Sequence, residues 1–313
     1  MARIAALFPG QGSQKVGMGH DLADRWPTAA SVFAEIDSGL GAGLSELCWN
    51  GPEEELRLTT NTQPALLAHS VAAWQVLAES GFRAEAVAGH SLGEYSAVVA
   101  AGGLGAVDAA RTVRERGRLM QQAVPVGEGA MAAVLGLDDE VVVGICDEIS
   151  AALGEAVVAA NFNSPGQVVI AGTAGAVDRA IEVCKERGAR RALPLPVSAP
   201  FHSPLMAPAR EGLEPTLREL AFADLAVPVY RNVDASPVSS PDEVRDGLIR
   251  QVDAPVLWSQ TIARLRADGF DTFVEIGAGN VLCGLVKRID RSATSYPAGT
   301  VESIENVISE LVT

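Results

Sequence analysis

The chain has few of the residues that build metal sites and disulfide frameworks. Its 313 residues include four cysteines, Cys48, Cys146, Cys184 and Cys283, separated by 98, 38 and 99 positions with no C-x-x-C pair. That spacing supports neither a zinc site nor a disulfide scaffold, and buried free thiols in a reducing compartment are expected. Histidine is as scarce, with only His20, His69, His90 and His202. No two of them stand at ligand spacing with a carboxylate, so no metal and no cofactor are expected. Cations are outnumbered, 24 Lys and Arg against 39 Asp and Glu, for a formal charge of −15. Such a chain is a poor partner for nucleic acid or an anionic membrane surface, because phosphate binding needs clustered cations. Long hydrophobic runs are missing as well. The longest stretch without a charge, 156–177, is interrupted by Asn161, Asn163, Pro165, Gly166 and Gln167 and cannot span a bilayer. The apolar run Ile4–Phe8 is too short for a signal-peptide core. A soluble, cytoplasmic protein is expected.

What is present is the material of a large core. Apolar residues make up 48% of the chain and charged residues 20%, which excludes wholesale disorder. Short apolar runs alternate with amphipathic segments. Ile4–Phe8 reads as a buried strand ended by Pro9-Gly10, and 86–88 as another. Helices are expected at 22–36, from Pro52 onward, and at 63–80, 92–101 and 107–123. From 129 the rhythm changes. A strand at 130–135, a helix at 138–153, strands at 156–160 and 167–171, a helix at 174–187 and an extended segment at 191–196 spell β-α-β-β-α-β, the ferredoxin-like pattern. After Pro200 the alternation resumes, with helices at 205–220, 241–250, 258–268, 280–289 and 302–311 and strands at 228–233, 272–276 and 294–298. Strands separated by helices imply a parallel sheet covered on both faces. The expected organisation is an α/β domain built from 1–128 and 198–313, interrupted by a small ferredoxin-like domain at 129–197.

Gly89-His90-Ser91-Leu92-Gly93 fits G-x-S-x-G. A strand before it and a helix after it supply the context of a nucleophile elbow, in which the serine stands on a tight turn and the helix N-terminus faces an oxyanion. A glycine-rich structural turn with an idle serine is the alternative. A serine nucleophile needs a base. His90 is adjacent, but neighbouring side chains at an elbow point apart. His202 lies downstream in a loop stiffened by Pro200 and Pro204, where it serves either as the base or as a cap for the next helix. Many acids lie between Ser91 and His202, but none stands out as the third member of a triad; a neutral oxygen could orient the imidazole instead.

Other segments carry weaker signals. Pro9-Gly10-Gln11-Gly12-Ser13-Gln14 fails the dinucleotide fingerprint because Lys15 stands where the third glycine belongs, yet its loop can lend an amide to an oxyanion. Arg111, Arg114, Arg116 and Arg118 share one helix and face different ways. An inward arginine would bind a carboxylate bidentately, and a solvated face is the plain alternative. Arg187, Arg190 and Arg191 form a basic patch, as do Lys287, Arg288 and Arg291. Either can steer an anionic partner or complement a helix dipole.

Taken together, Pro9–Gln14, Gly89–Glu94, Arg116–Gln121, Asn161–Gln167 and Pro200–Ser203 resemble the malonyl-CoA:acyl carrier protein transacylases. The likeness runs over essentially the whole chain. It implies an α/β-hydrolase-like fold with a ferredoxin-like insert and a ping-pong acyl transfer from malonyl-CoA, through Ser91, to the phosphopantetheine thiol of acyl carrier protein. By the same resemblance His202 is the base, Gln251 supplies the oxygen that orients it, and the amides of Gln11 and Leu92 form the oxyanion hole. Arg116 pairs with the malonyl carboxylate, and Met120, Asn161, Asn163 and Phe201 complete the substrate pocket, with Phe201 excluding an α-methyl group. Arg190 and Arg191 are expected to dock the carrier or the CoA phosphates. The expected assembly is a monomer. A serine hydrolase and a non-catalytic docking protein are the competing readings.

Overall fold

The computed structural model describes residues 2–197 and 199–312, so residues 1, 198 and 313, the edges of the expected domains, lie outside it. Two sheets organise the chain. The larger has six strands, β1 (Ile4–Phe8), β2 (Ala86–Gly89), β7 (Val229–Tyr230), β8 (Pro237–Val238), β9 (Thr272–Ile276) and β10 (Thr294–Ala298), in the order β10-β9-β1-β2-β7-β8. All neighbouring pairs are parallel except the β7–β8 hairpin.

The central strands are buried on both faces, which is why their sequences are continuously apolar. In β1, Ala6 and Phe8 enter one core while Ala5 and Leu7 enter the other, as the two-residue period of a strand requires. The first core is covered by α2 (Pro27–Leu40), α5 (Thr59–Glu79), α6 (Gly93–Ala100), α7 (Ala106–Gln122), α10 (Ala207–Glu219), α11 (Pro241–Gln251) and α14 (Val301–Leu311). The second is covered by α12 (Trp258–Ala267) and α13 (Val281–Ile289). The charged member of β9, Glu275, faces this second layer, and its carboxylate accepts from the Cys283 amide at 2.7 Å, capping the first turn of α13.

The smaller sheet holds β3 (Gly129–Leu135), β4 (Val157–Ser164), β5 (Gln167–Thr173) and β6 (Arg191–Pro194) in the order β4-β5-β3-β6. Its pairings are all antiparallel. That is the ferredoxin-like arrangement, with α8 (Asp139–Leu153) and α9 (Ala174–Glu186) packed on one face. The other face carries Met131, Ala160, Val169 and Ala171 and turns toward Phe201 and the larger unit. Backbone bonds tie β4 to the segment before α12: Phe162 donates to the Val256 carbonyl at 2.9 Å, and Val256 donates to the Ala160 carbonyl at 2.9 Å. The fold is thus an α/β-hydrolase-like parallel sheet with a ferredoxin-like antiparallel sheet.

Two expected elements are revised. The helix at 22–36 is two helices, α1 (His20–Arg25) and α2, divided at Trp26-Pro27, where the proline starts the second helix and excludes the residue before it from helical angles. The strand at 228–233 is only Val229–Tyr230, because Arg231 turns out to bind Asp234 and Ala235 takes φ +54°.

Candidate active site

Ser91 sits between β2 and α6 with φ +51°, a left-handed backbone held by its surroundings. The flanking glycines make that turn possible. A Cβ on Gly89 would lie 1.9 Å from the Gly93 backbone, and one on Gly93 would lie 2.0 Å from the Phe8 carbonyl. The elbow therefore packs backbone on backbone against β1, a contact no side chain permits. His90 points away from the serine. Its Nε2 lies 2.8 Å from Asn163 Oδ1, and its ring lies 5.5 Å from that of Trp258.

His202, also at positive φ (+59°), comes from the loop before the short 3₁₀ turn Pro204–Met206. Its Nε2 is 2.6 Å from Ser91 Oγ. Its Nδ1 faces two carbonyls, Gln251 at 2.9 Å and Ala254 at 3.2 Å. Two acceptors on that side assign the proton to Nδ1 and leave the Nε2 lone pair for the serine hydroxyl. Burial, reinforced by the Arg116 charge, pushes the imidazole down to about 3, so it is neutral at physiological pH. The oxygen that orients it is a main-chain carbonyl, so no acid appeared in the sequence between Ser91 and His202.

Arg116 leaves the inner face of α7 and is 1% exposed, whereas Arg111 and Arg118 are exposed on the same helix. Its Nη1 donates to Gln63 Oε1 at 2.9 Å, and its Nη2 donates to Gln251 Oε1 at 2.9 Å and to Ser91 Oγ at 3.2 Å. Among the described residues it has no ion-pair partner, and its Nε has no acceptor. A buried guanidinium served only by neutral oxygens has charge-assisted hydrogen bonds to give to an incoming carboxylate.

These groups line one cavity of about 600 Å³, together with Gln11, Leu92, Met120, Asn161, Asn163 and Phe201. The structure therefore brings to one place every catalytic, oxyanion and pocket candidate from the sequence except Gln251. That residue is fully buried just behind the cavity and reaches it through Arg116 and His202. The Ser91 amide is taken by Asn232 Oδ1 at 2.7 Å. Those of Leu92 and Gln11 donate to no described residue, which leaves both for an oxyanion. Arg190 and Arg191 are exposed at the start of β6, away from the cavity lining. Of their neighbours in the basic patches, Arg187 pairs with Glu148 and Arg288 donates to Gln167. Three polar residues of the site escaped the sequence reading: Gln63, Asn232 and Glu94. The last was in view as the residue after the elbow glycine; Gln63 and Asn232 carried no pattern of their own. Among the described residues no group of three His, Cys, Asp or Glu is disposed to hold a metal ion.

The fold and the serine–imidazole pair define an α/β acyl-transfer enzyme. The comparisons with known proteins sharpen that class. A family model described as "Acyl transferase domain" matches residues 6–305, and the chain belongs to that family. It is 48% identical over 311 residues to the malonyl CoA-acyl carrier protein transacylase of Bacillus subtilis (strain 168), covering 99% of this chain and 98% of that one. Among solved structures it is similar to the malonyl CoA-acyl carrier protein transacylase of Coxiella burnetii, with TM-score 0.97, 41% identity and coverage of 100% and 98%. It is also similar to a malonyl-transacylase in complex with its type II PKS acyl-carrier protein, with TM-score 0.96, 46% identity and coverage of 98% and 99%.

Proposed function

We propose that this chain is a malonyl-CoA:acyl carrier protein transacylase that supplies malonyl units to fatty acid or polyketide synthesis. The observation that carries the reading is Arg116: a buried cation that no carboxylate among the described residues touches, one hydrogen bond from the nucleophile. It suits an acyl group with a free carboxylate at its far end, and an acetyl or long-chain acyl group does not satisfy it.

Ser91 Oγ attacks the thioester carbonyl of malonyl-CoA while His202 Nε2 takes its proton, and the developing oxyanion is met by the Leu92 and Gln11 amides. The C–S bond breaks, the proton passes from His202 to the departing CoA sulfur, and the malonyl ester remains on Ser91. The phosphopantetheine thiol of the carrier enters, gives its proton to His202 and attacks the ester, and Ser91 is regenerated. Gln251 holds the imidazole through its carbonyl and Arg116 through its amide. Met120, Asn161 and Asn163 shape the pocket, and Phe201 fills the space an α-methyl group would need. Side chains and backbone amides suffice for this route, so no metal or cofactor enters it.

Arg190 and Arg191, exposed and without ion-pair partners among the described residues, dock the acidic carrier. The working unit is a cytoplasmic monomer, with 1–128 and 198–313 as the catalytic domain and 129–197 as the small domain. One chain carries the whole constellation, and no described helix is long and apolar enough to cross a membrane.

The test is the intact mass after brief mixing with malonyl-CoA, with Ser91→Ala alongside. The expected result is one malonyl adduct, absent from the variant and discharged by carrier protein. An adduct lost equally fast without carrier would indicate a hydrolase instead.

A further inference from the structure

The proposed chemistry makes no use of Glu94, the carboxylate one turn after the nucleophile, although it is only 1% exposed. Its Oε2 accepts from Gln251 Nε2 at 2.8 Å and from the Asn232 amide at 3.0 Å. Both partners reach the reacting serine. Gln251 Nε2 also donates to the Ser91 carbonyl at 2.9 Å, and Asn232 bonds the Ser91 amide and, at 2.7 Å, the Gly89 carbonyl. The other end of the Gln251 amide, Oε1, accepts from Arg116. One amide therefore separates a buried carboxylate from a buried guanidinium, and the two do not touch. The charged groups acting on Glu94 are Arg231, beyond β7, and Arg116 on α7; Tyr95 on its own helix is the other titratable neighbour.

We propose that Glu94 is the resident counter-ion of Arg116 and that it takes up a proton when the substrate's carboxylate occupies the guanidinium. The proposal rests on the reading that a malonyl carboxylate binds Arg116. In the empty site one positive and one negative charge are buried together. A second carboxylate would leave two anions sharing one cation behind a single amide, and like charges so placed cannot both remain ionised cheaply. Arg116 holds its proton too firmly to yield, and His202 is already neutral. Glu94 is the group that can adjust. Burial, opposed by its hydrogen bonds and the two arginines, already raises it to about 7, where a small electrostatic change alters its protonation. It is a positioning residue, since it touches neither substrate nor reacting atoms.

The acylation step is itself proton-neutral, because the serine proton leaves on the CoA thiol. Any net uptake is therefore diagnostic. Stoichiometric malonyl-CoA, mixed with the protein in weak buffer near pH 7 with an indicator dye, should draw about half a proton per Ser91 adduct from solution. Acetyl-CoA, which lacks the carboxylate, should draw none. Linkage then requires the malonyl-over-acetyl ratio of acylation rates to fall several-fold as pH rises from about 6 to 8.5, because a ligand that brings in a proton binds more weakly at high pH. In Glu94→Gln both signals should vanish. A malonyl adduct formed in the parent protein without proton uptake, and with a pH-independent ratio, would overturn the proposal while leaving the transacylase reading intact. Absence of any malonyl adduct would instead overturn that reading. The parent measurement decides the matter even if Glu94→Gln does not fold.

Discussion

At the scale of single residues, the site separates groups that act by charge from groups that act by position. Arg116 acts by charge. Arg116→Ala should forfeit a buried charge-assisted contact, on the order of 2–5 kcal/mol, and with it the preference for malonyl over acetyl in Ser91 acylation. An unchanged preference in competing acylation assays would rule out that role. His202 acts by position and by staying neutral. Because burial holds it near 3 rather than the ordinary 6.5, lowering the pH from about 7.5 to 5.5 leaves its lone pair available. Acylation by acetyl-CoA, free of the carboxylate at Arg116, should keep its rate across that window. A roughly tenfold fall at pH 5.5 would mean an ordinary imidazole. Ser91 was legible as chemistry in the sequence because it sits in a distinctive local pattern, His202 stood open between two readings, and Arg116 was singled out only by the family resemblance. Asn232 was not legible, because it works through one side-chain amide brought 141 positions along the chain to the Ser91 backbone. Local pattern carries no record of such a contact.

At the scale of elements, the elbow is a packing event between β1 and α6. The Gly93 Cα faces the Phe8 carbonyl so closely that Gly93→Ala must push a helix off a central strand. Overpacking against backbone has no soft side chain to absorb it, so a loss of about 3 kcal/mol or more is expected, read as a lower urea midpoint together with loss of the Ser91 adduct. An alanine variant with parental stability would mean that α6 is free to shift. Some helix boundaries were legible where a glycine or proline punctuates the pattern: Gly154 stops α8 in the left-handed conformation, and Ser240-Pro241 starts α11 with a side-chain cap, whereas the break at Pro27 was read through. Short elements were not. The seven-residue α3 (Leu44–Asn50) lacks two full apolar turns, and β7 is shortened by a turn held by an arginine–aspartate pair. The first is too short to show a helical period, and the second ends at a local turn whose arginine–aspartate pair reads in sequence as ordinary surface charge.

At the scale of the whole molecule, a net charge of −15 sets the problem of carrier recognition. Two acidic proteins repel each other at long range, so productive encounter depends on local cations. Reversing Arg190 and Arg191 to glutamate should slow malonyl transfer to carrier about tenfold or more at low salt, narrow that gap as salt screens it, and leave acylation by malonyl-CoA nearly intact. Equal damage to both half-reactions would place CoA phosphates there instead. The two-sheet plan itself was readable from the change of rhythm at 129. The tie between β4 and Val256, in the segment before α12, was not, since main-chain bonds are indifferent to side-chain identity.

The hydrogen bond from Arg116 Nη2 to Ser91 Oγ has one more consequence. It takes one of the two lone pairs on the hydroxyl oxygen and withdraws electron density from it, without blocking attack. In the proposed reaction a malonyl carboxylate draws the guanidinium onto itself, whereas a donor without a carboxylate leaves the hydroxyl still sharing its electrons with Arg116. The nucleophile would then be at its strongest when the acyl group that fits the site is in place.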